Sequence, residues 1–330
     1  MSVYRKNPEF TFVIPIRNEG TALDDTLSHL VRLGDPDLIE VILVDDASDI
    51  PVADQYRIPH DITCLRNEVR QGVAKARNQG ARRATGDTLV FTDGHVGFSR
   101  TFLEDLRLSG VARGNGICGC ATSLMDCHSE FRQALATGES DRKASFHAWR
   151  ISLEPNMHVR PVLLPDTNTN DWCLVPYVGA CSLAISRVLF DSLGGFDEGL
   201  IGFGCNEDLD LAMRCWSSGL SVRTNPRATC WHLTQIRKTP DRIDNNPYES
   251  LDLTRYSGSF MNTIRVVYLY FPDEYFARFL SIAAIDHQEW LRFVGNEIHA
   301  RRSYLRSRMT ISPHELLERM TAETLGPFAG

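Results

Sequence analysis

With 330 residues, 43% hydrophobic and 23% charged, the chain can bury the core of one large α/β domain or two smaller ones. Its net charge of -7 gives no electrostatic basis for nucleic-acid or membrane-surface partners. The nine cysteines are scattered without a C-x-x-C pair, no apolar signal core follows Met1, and no apolar run is long enough to span a bilayer; a reduced, cytoplasmic protein with no transmembrane segment is expected.

Taken in order, Phe10–Ile16 is a β-rich run that stops at Arg17-Asn18-Glu19-Gly20. Thr21 can cap a helix whose apolar positions Leu23, Leu27, Leu30, Val31 and Leu33 run to Gly34. Ile39–Val44 reads as a second buried strand, ending on Asp45-Asp46-Ala47-Ser48-Asp49, and Cys64-Leu65 as a short third. A helix over Gly72–Ala84 and a turn at Gly86-Asp87 lead into Leu89–Thr92, which ends on Asp93-Gly94-His95. This alternation predicts an α/β fold, a Rossmann-like, mostly parallel central sheet flanked by helices. Residues 110–175 are less regular, broken by Gly114, Gly116 and Gly119, with a polar loop at Asp166–Asp171. Tyr177–Ile185 returns to strand character, and Gly179-Ala180-Cys181-Ser182 are small enough for close backbone approach. Helices are expected over Arg187–Leu193 and Leu209–Ser217, and from Asn246 to the end the pattern is largely helical, with Pro272 as a break.

Four groups of residues can carry chemistry. Asp93 and His95 stand at a strand tip, where ligands bind in open α/β sheets. One carboxylate and one imidazole suit a Mn2+-like ion better than a closed zinc site; a helix-capping Asp beside a surface His is the plainer reading. His232, in Cys230-Trp231-His232, is available as a third ligand. Pro15-Ile16-Arg17-Asn18-Glu19 and Asp45-Asp46 place polar groups at one sheet edge, fit either to hold a nucleotide or to cap helices. Arg70, opening the stretch Arg70–Gly80, can reach a base or phosphate or lie on a solvated helix face. Gly202-Phe203-Gly204-Cys205-Asn206-Glu207-Asp208 puts flexible glycines before two adjacent acids at a helix start. One acid can bind a hydroxyl while the other removes its proton, although a helix dipole alone favours acids there. The sequence has no G-x-S-x-G, no Walker A and no G-x-G-x-x-G after the first strand, which removes the usual hydrolase, P-loop and dinucleotide signatures.

Order and spacing together resemble a GT-A glycosyltransferase of the nucleotide-sugar-dependent, family-2 type, from about Phe10 to Tyr275. Asp93-Gly94-His95 resembles the DxH variant of the DxD motif, the form in polypeptide N-acetylgalactosaminyltransferases. Arg70 fits the arginine those enzymes carry 23 residues before the metal Asp. Gly194-Gly195-Phe196-Asp197-Glu198-Gly199, His232, Asn262-Thr263-Ile264-Arg265 and Asp273-Glu274-Tyr275 follow the same pattern.

The resemblance implies Mn2+ (or Mg2+) held by Asp93, His95 and His232, bridging the phosphates of a UDP-sugar. It further implies donor contacts from Pro15, Arg17, Glu19, Asp45, Asp46, Arg70, Asp93 and Gly94. Arg237 is a weaker donor contact, because the family's arginine falls where this chain has Gln235. It implies a GT-A catalytic domain at 1–245, with a nucleotide-binding half 1–109 and an acceptor-binding half 110–245, then a helical extension 246–330. Leu233–Tyr256 is expected to close over the donor. One departure matters: the retaining transferases have Glu-Asn-Leu-Glu where this chain has Glu207-Asp208-Leu209-Asp210. Asn cannot accept a proton and Asp can, so Asp208, with Glu207 beside it, is expected to act as general base in an inverting transfer. A retaining N-acetylgalactosaminyltransferase-like enzyme and a non-catalytic sugar-nucleotide-binding protein are the alternatives. Peptide, natural-product and glycan acceptors all stay open, as does the oligomeric state.

Overall fold

The computed structural model describes residues 8–56, 58, 62–152, 158–164, 172–200, 206–234, 258–283, 285–322 and 325–327. The polar loop at 166–171, Gly202, Gly204, Arg237 and nearly all of the expected lid lie outside these residues, as does the 245/246 boundary.

The strands are β1 (Phe10–Ile16), β2 (Ile39–Asp46), β3 (Ile62–Asn67), β4 (Thr88–Phe91), β5 (Val96–Phe98), β6 (Gly116–Met125), β7 (Ala148–Ser152), β8 (His158–Val162), β9 (Cys173–Leu174), β10 (Leu183–Ser186) and β11 (Ser221–Leu233). The main sheet runs β3-β2-β1-β4-β10-β6-β11-β5, with β9 on β11; β7 and β8 form a separate hairpin. It is parallel through β3, β2, β1 and β4, as the alternation predicts. Beyond β4, β10 runs antiparallel to both neighbours, β11 is parallel to β6, and β5 is antiparallel to β11. Chain order reverses at β1, which has β2 on one side and β4 on the other; this opens a crevice beyond the carboxyl ends of the strands.

The central strands read as apolar runs because both faces are covered. In β1, Phe12, Ile14 and Ile16 belong to one apolar cluster, and Val13 to the other. Helix Val73–Arg83 lies against the Val13 face through Ala74, Gly80 and Ala81. A Cβ at Gly80 would stand 2.4 Å from Val13 Cγ1, so the helix sits closer than any side chain allows. Gly80→Ala should cost about 1–3 kcal/mol by overpacking, measured by urea unfolding.

Residues 110–175 hold more regular structure than their glycines suggest: β6, helix His128–Thr137 and the β7–β8 hairpin. Strand β11 begins well before Cys230, and its register against β6 shifts between Asn225 and Thr229, around Pro226. A proline at a bulge is compatible with a strand and masks it in the sequence pattern. Tyr177–Ile185 yields only a short strand, Leu183–Ser186, preceded by a loop.

The C-terminal helices Gly258–Tyr270, Asp273–Ala283, His287–Val294, Glu297–Arg306 and Pro313–Thr321 include the expected break at Pro272. Ile264, Val267, Leu316 and Met320 share one apolar cluster with Val13 and Phe91 of the sheet. Buried polar ties reinforce that packing: Tyr270 donates to Asp210 (2.7 Å), and Arg265 Nε to Asp197 (2.9 Å). Among the described residues, no helix is long and apolar enough to cross a membrane.

Candidate active site

Asp93 and His95 follow β4 directly and enter β5, as the strand-tip reading anticipates. His232, far along the chain, reaches them through the β5–β11 ladder, where it stands opposite Val96. Leu233 N–H donates to the His95 carbonyl (3.1 Å), fixing that register. The ligand atoms of Asp93, His95 and His232 all lie within 4.8 Å of one another. His232 Nε2 is 3.4 Å from Asp93 Oδ2, and the two imidazole centroids are 4.8 Å apart. Ligands on a small divalent ion with bonds of about 2.1 Å sit about 3 Å apart, so the three side chains would share one ion after drawing together by up to about 2 Å. His232 Nδ1 is buried with no hydrogen-bond partner among the described residues. Burial opposes ionisation of Asp93, yet its hydrogen bond to His232 and the positive charge of Arg77 hold the carboxyl well below the usual range.

The acid pair opens helix Glu207–Ser217, whose first turn also carries Asp210. Asn206 precedes it at φ +60°, and its side-chain amide donates to Thr263 Oγ1 (2.8 Å), tying the helix start to the C-terminal helices. Glu207 is buried, whereas Asp208 is half-buried. Asp208 accepts hydrogen bonds from Ala180 N–H (3.2 Å) and Leu209 N–H (2.8 Å). Desolvation, followed by the like charge of Glu207, pushes the Asp208 carboxyl up to about 7. The small residues of 179–182 therefore do allow a close approach: Ala180 offers its N–H to Asp208 and its carbonyl to Arg77.

Arg77 joins the two groups. Its buried guanidinium donates to Asp93 Oδ1 (2.9 Å) and makes an ion pair with Glu207, leaving Asp93 Oδ2 on the His232 side. Sequence reading did not single Arg77 out, because a basic helix suggests a solvated face. The signal was present in its neighbours: Ala74, Gly80 and Ala81, at i−3, i+3 and i+4, are small and share its side of the helix.

At the edge formed by the ends of β1 and β2, Asp45 and Asp46 hold protein donors. Asp45 accepts from Ser48 N–H (2.9 Å) and Val52 N–H (3.1 Å) and pairs with Arg66; burial raises its carboxyl, but these bonds outweigh that and lower it. Asp46 accepts from Asn67 Nδ2 (2.9 Å) and from Gln71 and Gly72 N–H (2.8 Å each), shaping the turn that carries half-buried Arg70. Pro15 lies in β1 opposite Val44, and Arg17 is 3.7 Å from Asp49. Glu19 reaches the metal group, with Oε1 3.2 Å from His95 Nδ1.

This fold and crevice resemble those of GT-A glycosyltransferases. Within that class the chain resembles the polypeptide N-acetylgalactosaminyltransferases. Residues 11–121 match the glycosyl transferase family 2 profile. The chain is 28% identical over 236 residues to Polypeptide N-acetylgalactosaminyltransferase 10 of Rattus norvegicus, covering 68% of this chain and 38% of that protein. It is 27% identical over 307 residues to Polypeptide N-acetylgalactosaminyltransferase 8 of Drosophila melanogaster, covering 90% of this chain and 50% of that protein. The chain thus spans half or less of the length of these two relatives. Its fold matches the structure of GalNAc-T7 with UDP, GalNAc and Mn2+ (TM-score 0.71, 19% identity, 96% of this chain and 57% of that one).

Proposed function

We propose that this protein moves a sugar from a UDP-sugar to an acceptor hydroxyl with inversion, using a divalent ion at Asp93, His95 and His232 and Asp208 as general base. The observation that carries this reading is the Arg77 bridge, which ties Asp93 of the Asp-His-His group to Glu207 at the helix start that bears Asp208, whose carboxyl desolvation and Glu207 raise to about 7. The UDP and Mn2+ of the GalNAc-T7 structure support the choice of donor and metal.

When bound, Mn2+ supplies Lewis-acid stabilisation of the charge that develops on the departing diphosphate. Asp93 contributes negative charge to hold it, and His95 and His232 contribute neutral nitrogen donors. Arg77 keeps Asp93 oriented and compensates Glu207. Asp208, fixed by Ala180 and Leu209, takes the acceptor's proton as that hydroxyl attacks; an ionised carboxylate with a raised pKa is a better base than an ordinary one.

Two measurements test the assignment. Because Asp208 is protonated below about 7, kcat/KM should fall about tenfold per pH unit on the acid side and level off above. A profile flat from about pH 5.5 to 8 would remove Asp208 from the base's role. NMR of the product should give an anomeric configuration opposite to the donor's. Retention is the second reading, favoured by the similarity to the polypeptide N-acetylgalactosaminyltransferases, and a retained configuration would establish it.

A further inference from the structure

We infer that Glu19 is a positioning residue of the metal centre, one that sets the tautomer and orientation of His95, rather than a contact to the nucleotide. The inference rests on the metal-dependent reading above.

The Glu19 side chain is 5% exposed and that of His95 13%, with Nδ1 and Oε1 3.2 Å apart. An ionised carboxylate only accepts, so Nδ1 carries the hydrogen and Nε2 keeps the in-plane lone pair for a metal. Histidine ligands commonly give their second nitrogen to a carboxylate in this way, which fixes the ring and raises its basicity.

The local chain is built for that contact. After β1 the backbone turns at Asn18, φ +50°. Its N–H donates to Ser48 Oγ (3.0 Å), and its side chain exchanges hydrogen bonds with Asp49 (3.0 and 2.8 Å). Tyr56 OH then donates to the Glu19 carbonyl (2.6 Å), holding the backbone from the other side. Gly94 leaves the room: a Cβ there would lie 2.9 Å from Ile16 Cγ2 and 3.1 Å from Glu19 Cγ. The glycine of the Asp-Gly-His motif therefore admits Glu19 beside the imidazole.

The test uses the full chain as wild type, Glu19→Gln and Glu19→Ala. Mn2+ binding is followed by loss of the free-ion EPR signal without nucleotide, UDP binding is measured by calorimetry without metal, and the His95 tautomer is read from long-range 15N correlations. Glu19→Ala should weaken Mn2+ binding about 10- to 100-fold. Glu19→Gln, whose amide oxygen still accepts, should weaken it less. In Glu19→Ala the Nδ1–H form of His95 should lose its dominance, while metal-free UDP affinity stays at the wild-type value. Wild-type Mn2+ affinity in Glu19→Ala, together with weakened metal-free UDP binding, would overturn the inference. If the wild type takes up no Mn2+, the metal-dependent reading fails instead, and an unchanged tautomer in Glu19→Ala would still overturn the Glu19–His95 pairing.

Discussion

Asp208→Asn should lower kcat by roughly 100- to 10,000-fold, the usual worth of a positioned general base, with little change in UDP and Mn2+ binding. The substitution is nearly isosteric, and the amide oxygen can still accept from Ala180 or Leu209 N–H, so the helix start stays in place. Only the proton acceptor is lost. A variant that kept wild-type kcat would sink the base assignment. Stability supplies an independent check. Burial and Glu207 raise the Asp208 carboxyl from 3.8 to about 7 in the folded chain. Its proton is thus held more tightly folded than unfolded. That contribution to stability is complete below about pH 4, declines as pH rises, and is gone above about 7. The amide of the Asp208→Asn variant does not titrate, so its Tm relative to wild type should climb between these pH values and then level off.

Arg77→Met should cost about 3–5 kcal/mol of stability, measured by urea unfolding at neutral pH. Methionine fills much of the same space but leaves buried Glu207 without its ion pair and Asp93 without its Oδ1 donor. Burial leaves water little access to Glu207 to compensate its charge. Arg77→Lys should recover only part of the loss, because one ammonium cannot serve two carboxylates and the Ala180 carbonyl with the reach of a forked guanidinium. A loss below about 1 kcal/mol for Arg77→Met would mean that the bridge behaves as a solvated surface pair.

Much of the N-terminal third is legible from the chain alone. Apolar runs ended by polar clusters put β1, β2 and β4 in place, because strands buried on both faces must be continuous in hydrophobicity. Asp93 and His95 are two positions apart, so local spacing suffices to nominate them. The Glu207-Asp208 pair is equally local, since it opens a helix whose apolar face runs through Leu209, Met213 and Trp216.

Other features depend on contacts between distant segments. His232 joins Asp93 only because β5 turns back onto β11, and that antiparallel pairing has no local signature. Strand β11 itself is interrupted by a bulge at Pro226, and β6 is disguised by glycines that pack against neighbours: a Cβ at Gly119 would strike Val178. Asp45, Asp46 and Glu19 look alike in sequence as strand-end acids. Their partners separate them: backbone N–H groups and Arg66 for Asp45, the turn at Gln71-Gly72 for Asp46, and an imidazole for Glu19.

By itself, then, the sequence determined the α/β class, the strand tips that face the crevice, and the chemical types available there: a carboxylate and imidazoles for a metal, and a second acid able to accept a proton. The tertiary structure alone decided how those groups are coupled. Arg77 reads as a solvent-facing helix residue until the helix is laid on the sheet, where burial makes its charge costly unless Asp93 and Glu207 both meet it. Electrostatic coupling depends on separation in space and on exclusion of water, and neither can be read from positions along the chain.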